Sequence, residues 1–482
     1  MWNTNQKKIS ILLLVILALE ALSFLSLSHI FFGQLVFIAL IIATLLFSIY
    51  RLEYGLLIVL AELFVGSMGH LFMFPLGTYQ LPIRIALWLL VVLVFIVKFL
   101  VQLLKHKEPS LYWQKIKNFP LLKYFGLLFL FIMVGLFNGL LRQHGLANIF
   151  TDFNAWPYFL LLFPIIVVYY EGRDKVYDRL RLVFLASAIW VSLETLALLF
   201  VFTHNTGVTE IYNWLRRTIV GEVTPTLSGW PRVFIQGQIY PIIAFLLLFW
   251  KQRRVADLPL AALFLSSVLI SFSRSFWVGL AVAIIFSLIL LWRFYSLSRL
   301  LKSVLWTLGV GLLSFLLIYL IAVFPCPQPG AFNADFLSRL KSANDAALAS
   351  RWSLLPALAK QIERNPLLGQ GYGATVTYYS RDPRILQQSP SGLYTTSAFE
   401  WGYLDLWLKL GILGLLAYLL LLYKIIKIGI INNKNQNYLV LGISASIVFL
   451  AVTNIFTPYL NHPLGMGFFL ISSCLILRDR VY

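Results

Sequence analysis

Apolar runs of membrane-crossing length follow one another along almost the whole chain, at about residues 9–29, 30–50, 55–75, 82–104, 120–141, 155–171, 180–203, 233–250, 257–272, 275–292, 303–324, 401–423, 438–456 and 464–478. A helix needs ~20 mostly apolar residues to cross the hydrocarbon layer, where its backbone polar groups must be satisfied internally. The pattern therefore predicts an all-α fold, a polytopic transmembrane helix bundle of about fourteen spans. The pair at 257–272 and 275–292 is short and tightly joined. Composition agrees: 60% of the 482 residues are hydrophobic and 12% are charged, which excludes both a water-soluble globule of ordinary make-up and an enzyme held by a single anchor. The first run is too long, and too poorly flanked by small residues, for a cleaved signal peptide and reads as a true span.

The chain carries 38 Lys+Arg against 19 Asp+Glu, a net charge of +19. In a soluble protein that excess suggests nucleic acid, but membrane proteins collect basic residues in their cytoplasmic loops. With both termini inside, the cytoplasmic set takes Lys7, Lys8, Arg51, the lysines from Lys98 to Lys123, Arg173 to Arg181, Lys251 to Arg254, Arg293 to Lys302, Lys424 to Lys434, Arg478 and Arg480. The charge then needs no nucleic acid partner. The two cysteines, Cys326 and Cys474, fall on opposite sides in this topology and form no disulfide or metal framework.

The spans divide into two parts, residues 1–324 and 400–482, with one long outer loop at 325–399. A loop of that length in a compact bundle is usually functional. Within it, Asp335 to Arg364 has the composition of one or two helices. Leu348, Trp352, Leu355 and Leu358 form a stripe that could lie on the outer leaflet. Asn365–Pro366 should end the helix, because the residue before proline avoids helical angles. The run from Gly369 to Gly373 then makes a turn whose backbone can approach a ligand closely.

Three outer-side arginines have apolar surroundings: Arg232, Arg274 and Arg351. Arg274 lies between two spans with almost no aqueous loop, so its guanidinium meets an anion, carbonyls or water in a cavity, or else snorkels to the headgroups. Arginine suits phosphate, since its planar fork donates two parallel charge-assisted hydrogen bonds and stays protonated. Arg232 admits the same two readings, and Arg351, taken by itself, reads first as a solvated helix face. Glu400, where the chain re-enters the membrane, is either a general base for a sugar hydroxyl or an acid favoured by the helix dipole. Asp405 supports that site or pairs with Lys409 at i, i+4. Glu20, Glu62 and Glu194 lie within spans, as an ion or proton relay or as structural pairs. His29, His70, His144, His204 and His462 map to the outer side without metal-ligand spacing. The Gly-x-Gly-x-Gly turn follows a proline-ended helix, not a strand, and is no dinucleotide fingerprint.

Three stretches together resemble the O-antigen ligase and polymerase superfamily of bacterial membrane glycosyltransferases. They are Ser271–Phe272–Ser273–Arg274–Ser275, the segment from Arg351 through Asn365–Pro366 to Gly373, and the segment from Glu400 to Gly414. In motif the resemblance covers roughly residues 230–425, and in hydropathy the whole chain. It implies a GT-C-like bundle that moves a glycan from an undecaprenyl-pyrophosphate carrier to an acceptor on the outer face of the inner membrane. The ligases use lipid A-core as acceptor, and the polymerases another carrier-linked chain. No cofactor and no metal is implied. Membrane lipids and a chain-length regulator are candidate partners. By the resemblance Arg274 and Arg351 hold the carrier's diphosphate. Glu400 stands where the ligases commonly carry a histidine proposed to activate the acceptor hydroxyl, a departure that favours a polymerase or an unassigned relative. Arg232, Arg339, Gly371, Tyr372, Gly373 and Asp405 complete the expected substrate-binding set.

Chemistry alone is consistent with this. Diphosphate leaves readily once arginines neutralise its developing charge, and a base opposite it sets up an inverting displacement. Two alternatives stay open. A peptidoglycan glycosyltransferase of the shape, elongation, division and sporulation type also uses an outer acidic residue, but has fewer spans. A lipid-linked oligosaccharide flippase or transporter would use the buried glutamates for gating, yet two related halves are not visible.

Overall fold

The computed structural model describes residues 2–77, 79–105, 111–226, 230–251, 255–325, 346–380, 382–431 and 437–477. Cys326, Arg339, Arg253, Arg254, Lys434, Arg478 and Arg480 lie outside them, as does residues 335–345 of the expected loop helix. The chain opens with α1 (Trp2–Leu25), α2 (Ile30–Tyr50) and the short α3 (Leu52–Val65), and a hairpin of β1 (Met73–Leu76) and β2 (Tyr79–Pro82) leads into α4 (Ile83–Lys105). Next come α5 (Leu111–Lys117), α6 (Leu122–Leu141), α7 (Leu146–Phe153), the long α8 (Leu162–His204) and α9 (Val208–Thr218). A second hairpin, β3 (Gly221–Pro225) with β4 (Pro231–Ile235), precedes α10 (Ile239–Trp250), α11 (Leu258–Ile270), α12 (Arg274–Phe294) and α13 (Leu297–Val323). The loop contributes α14 (Ala346–Glu363), β5 (Val376–Tyr379), α15 (Pro383–Gln388) and β6 (Leu393–Thr396), and the chain finishes with α16 (Gly402–Ile431), α17 (Tyr438–Phe456) and α18 (Pro463–Leu475).

The all-α bundle is as expected, apart from three two-stranded hairpins at the helix ends. The expected count of about fourteen spans is met in part. Among the described residues, 10 helices are long and apolar enough to cross a membrane. The apolar runs at 55–75, 233–250, 257–272 and 464–478 carry α3, α10, α11 and α18, which have only 14, 12, 13 and 13 residues. Nearly every residue of α10 and α18 is buried by neighbouring helices. A helix wrapped by protein is apolar on all sides without touching lipid, so hydropathy alone does not separate it from a span. The runs at 155–171 and 180–203 are two successive helices of spanning length, separated within α8 by a kink where Gly172 leaves helical angles (φ −136°, ψ 29°).

Two ends of the bundle differ in character. At one end Lys98 donates to the carbonyls of Ser48 and Ile49, each at 2.9 Å, and Arg51 and Arg179 both pair with Glu53. Lys115 pairs with Glu171, Arg299 donates to the Tyr438 hydroxyl, and Lys424 lies over the Tyr124 ring. These basic residues belong to the set expected from the sequence to share one side. The opposite end gathers the three hairpins, the α11–α12 turn, the C-terminus of α17 and the N-terminus of α16. There α12 and α17 pack closely: a Cβ on Gly279 would stand 2.4 Å from the Thr453 hydroxyl, the close approach that small residues permit between apolar helices.

Candidate active site

Arg351 and Glu400 form an ion pair, Nε to Oε2, at the hairpin-bearing end of the bundle. Glu400 occupies the bend just ahead of α16, and Arg351 lies in the first turns of α14. Their side chains are 40% and 51% exposed, so the pair lies at the surface. Its frame is fixed from several directions. The Trp401 indole N–H donates to the Arg351 carbonyl at 3.1 Å, and the Trp352 and Trp401 rings meet edge-on, 5.3 Å apart. On either side of Arg351, the Ser350 hydroxyl bonds Ser380 and Tyr378, and the Ser353 hydroxyl donates to the Tyr379 carbonyl. Leu354, Leu358 and Ile362 pack with Val376, Phe399 and Leu408 in a small separate core.

That core sets one face of the loop helix on protein. The buried stripe of α14 is Leu354, Leu358 and Ile362, and it grips the β5–β6 hairpin and α16, whereas Trp352 is 56% exposed. Helix α14 therefore docks on protein. Its end is as predicted: it stops at Glu363, ahead of Asn365–Pro366.

Arg232 and Arg274 lie on adjoining elements. From β4, Arg232 donates Nε to the Ser271 carbonyl at 2.9 Å, its guanidinium 5.2 Å from the Phe234 ring centre. Ser271 belongs to the turn that delivers Arg274 to the start of α12. Phe272 in that turn has a left-handed backbone (φ 47°), a strained conformation for a residue with a side chain. The Ser271 hydroxyl steadies it by accepting the Ser273 N–H and donating to the Val268 carbonyl. Ser275, beside Arg274, accepts a hydrogen bond from the Thr457 hydroxyl at 3.1 Å, and the ring of the neighbouring Phe456 lies 5.9 Å from Trp401. The route Arg274–Ser275–Thr457–Phe456–Trp401–Glu400 thus joins the two arginine positions at one end of the bundle.

Gly371, Tyr372, Gly373 and Asp405 are placed elsewhere than expected. Gly369, Gly371 and Gly373 all have positive φ, but the surface they approach is protein backbone. A Cβ on Gly371 would lie 2.2 Å from the Gly139 nitrogen on α6. Tyr372 is fully buried and its N–H donates to the Gly135 carbonyl. Gln370 and Gly371 donate to Leu408 and Lys409, and the Ile412 N–H, freed where Gly411 breaks α16 (φ 73°, ψ 175°), donates to the Pro366 carbonyl. The turn is a wedge between α6 and α16, not an open ligand loop. Asp405 is buried too. Its carboxylate pairs with Lys409 at 2.6 Å and accepts from Asn461 at 2.8 Å.

Sequence reading missed several partners. Lys409 also pairs with Asp152 of α7 at 3.0 Å, and Asp152 accepts the Gly373 N–H. Glu62 is met by Arg84, with Nε to Oε2 at 2.8 Å and both side chains under 10% exposed, so it has a structural partner. Arg142 donates to the Gln370 side chain. Glu20 accepts the Trp190 indole N–H at 2.7 Å. Only the Asp405–Lys409 spacing carried a sequence signal, because it is local to one helix. The histidines are likewise used within the protein: His144 meets the Tyr372 carbonyl, His204 the Phe200 carbonyl, and His462 caps α18 by accepting the Leu464 N–H.

Residues 259–419 match the family model described as O-antigen ligase. The match runs from α11 into α16, takes in Arg274, Arg351, Glu400 and Asp405, and leaves Arg232 outside. It bears out the resemblance to the O-antigen ligase and polymerase superfamily, and with it a membrane protein of glycan transfer in the general sense of that family. No curated protein matches the chain.

Proposed function

We propose, with the O-antigen ligase match as premise, that the protein transfers a glycan from an undecaprenyl-pyrophosphate carrier to an acceptor hydroxyl. The reaction takes place at the outer face of the bacterial inner membrane. The observation that carries this reading is the Arg351–Glu400 pair, set at the same end of the bundle as Arg274 and Arg232. Arg274 and Arg351 hold the diphosphate, and Arg232 steadies the turn that presents Arg274. Glu400 accepts the proton of the acceptor hydroxyl as its oxygen bonds to the anomeric carbon. The bond from that carbon to the phosphate oxygen breaks, and the electron pair leaves with the diphosphate, whose charge the guanidinium groups stabilise. Two arginines supply this neutralisation, so the proposed reaction needs no metal.

Asp405 acts by fixing Lys409 and hence the root of α16. Gly371, Tyr372 and Gly373 seat α6 against α16. Arg339, in the outer loop, is a further candidate for the carrier's phosphates. The basic end of the bundle faces the cytoplasm, with both termini, and residues 325–399 face the periplasm between the membrane-embedded parts at 1–324 and 400–482. The short α3, α10, α11 and α18 lie within the membrane as part of a bundle of about fourteen helices. Glutamate where the ligases carry histidine favours chain extension over ligation to lipid A-core.

The test is incubation of the purified protein with carrier-linked oligosaccharide, with and without lipid A-core. A ladder without added acceptor identifies a polymerase, and a single adduct formed only with lipid A-core identifies a ligase. Passage of intact carrier-linked sugar across a liposome without change in glycan length would sink the transferase reading in favour of a flippase.

A further inference from the structure

The proposed base and one proposed phosphate ligand are held against each other. We infer that the Arg351 guanidinium is exchanged between two anions, the Glu400 carboxylate in the resting protein and the carrier's diphosphate in the loaded one, so that donor binding is what frees the base. The inference rests on the reading of Arg351 and Glu400 given above.

Three features support the exchange. The pair is half-exposed, at 40% and 51%, so it opens into water without unpacking a helix, and exposed ion pairs are weak. A diphosphate offers more charge and a bidentate match to the arginine fork. Second, the backbone around Arg351 is pinned by the Trp401 indole, Ser350 and Ser353. The exchange is therefore a change of side-chain position on a fixed helix. Third, Glu400 sits in a bend ahead of α16 rather than within a helical turn, and the indole of the adjacent Trp401 is tied to the Arg351 carbonyl, so the two elements stay in contact and Glu400 stays next to Arg351.

The chemical consequence is ordering. A carboxylate bound to a guanidinium accepts a proton less readily than one that has lost it. With Arg351 on Glu400, an acceptor hydroxyl arriving first meets a neutralised base. Once the diphosphate has taken Arg351, the same carboxylate faces the hydroxyl beside an additional negative group and becomes the stronger proton acceptor. Donor binds first, acceptor second.

The full-length protein in lipid nanodiscs, with undecaprenyl diphosphate lacking sugar as the probe, tests this in two ways. Labelling of Glu400 by a carbodiimide and an amine, read by mass spectrometry, should rise severalfold when the probe is added, while labelling of Arg351 by phenylglyoxal falls. Glu400 labelling that stays level or drops overturns the exchange. The second readout is affinity. Glu400→Gln should bind the probe severalfold more tightly than the unaltered protein, and Arg351→Gln at least tenfold more weakly. The gain from Glu400→Gln should shrink when Arg351→Gln is also present. An equal gain in both backgrounds reflects plain charge repulsion and overturns the exchange, leaving the diphosphate site intact. Unchanged affinity of Arg351→Gln overturns the diphosphate site itself.

Discussion

Lys409 reaches Asp152 at 3.0 Å across the bundle while holding Asp405, one turn back on its own helix, at 2.6 Å. One buried cation therefore ties α7 to α16 at the root of the candidate site, and Gly373, whose N–H Asp152 also accepts, is drawn into the same knot. Replacing Lys409 by Met leaves two buried carboxylates facing each other without a cation. Breaking a buried pair from one side costs about 3–5 kcal/mol. Lys409→Met should lower the melting temperature in detergent markedly, and the triple change with Asp152→Asn and Asp405→Asn should recover much of it. Full stability of the single variant would show that the cluster is not structural.

Gly371 has φ +91°, and a Cβ there would meet the Gly139 nitrogen at 2.2 Å. The left-handed backbone alone costs roughly 1–2 kcal/mol for an L-residue, before the clash with α6. Gly371→Ala should therefore reduce the yield of folded protein, as measured by size-exclusion chromatography. The control Gly77→Ala carries the same kind of backbone penalty but has nothing within 4 Å, and its loss should be smaller.

Arg274 stands at the start of α12, on the turn that Arg232 holds. Removing one donor to a developing anion costs roughly 100-fold or more in turnover. Arg274→Ala should lose that much glycan transfer with an unchanged melting temperature, and Arg274→Glu should lose all measurable transfer. Wild-type rates in either variant would remove Arg274 from the diphosphate site. Glu400→Gln should slow turnover while keeping, or improving, carrier binding.

His462 lies in the turn ahead of α18, outside the spanning helices. Burial, with the nearby Arg84 and His70 adding to it, pushes its ring down to about 3 from an ordinary value of 6.5. The folded protein keeps this ring neutral, whereas the unfolded chain takes up a proton below 6.5. The contribution of His462 is thus whole above pH 6.5 and is lost as the pH falls towards 3, at about 1.4 kcal/mol per unit in between. Melting temperatures in detergent should decline between pH 6.5 and 5. His462→Asn, which keeps a cap for the Leu464 N–H, should flatten that decline.

How far the sequence spoke for itself depended on distance along the chain. Helix existence is a matter of neighbours a few residues apart: each apolar run from 9–29 to 464–478 carries a helix, and Asn365–Pro366 closes α14 where proline geometry requires it. The O-antigen ligase resemblance was legible for the same reason, since Ser271–Ser275, Asn365–Gly373 and Glu400–Gly414 are contiguous stretches. Whether a run faces lipid or protein is not local, and α10 and α18 read as spans until their neighbours are seen around them.

What the amino-acid order determined, then, was the all-α membrane bundle, its basic end and the residue types available for chemistry, because hydropathy and charge act through burial of each segment taken alone. Only the tertiary structure decided that Arg351 meets Glu400, that Arg84 answers Glu62 and that Lys409 bridges Asp405 to Asp152. A charge within an apolar bundle must find its opposite, but which opposite it finds is set by the packing of helices far apart in the chain.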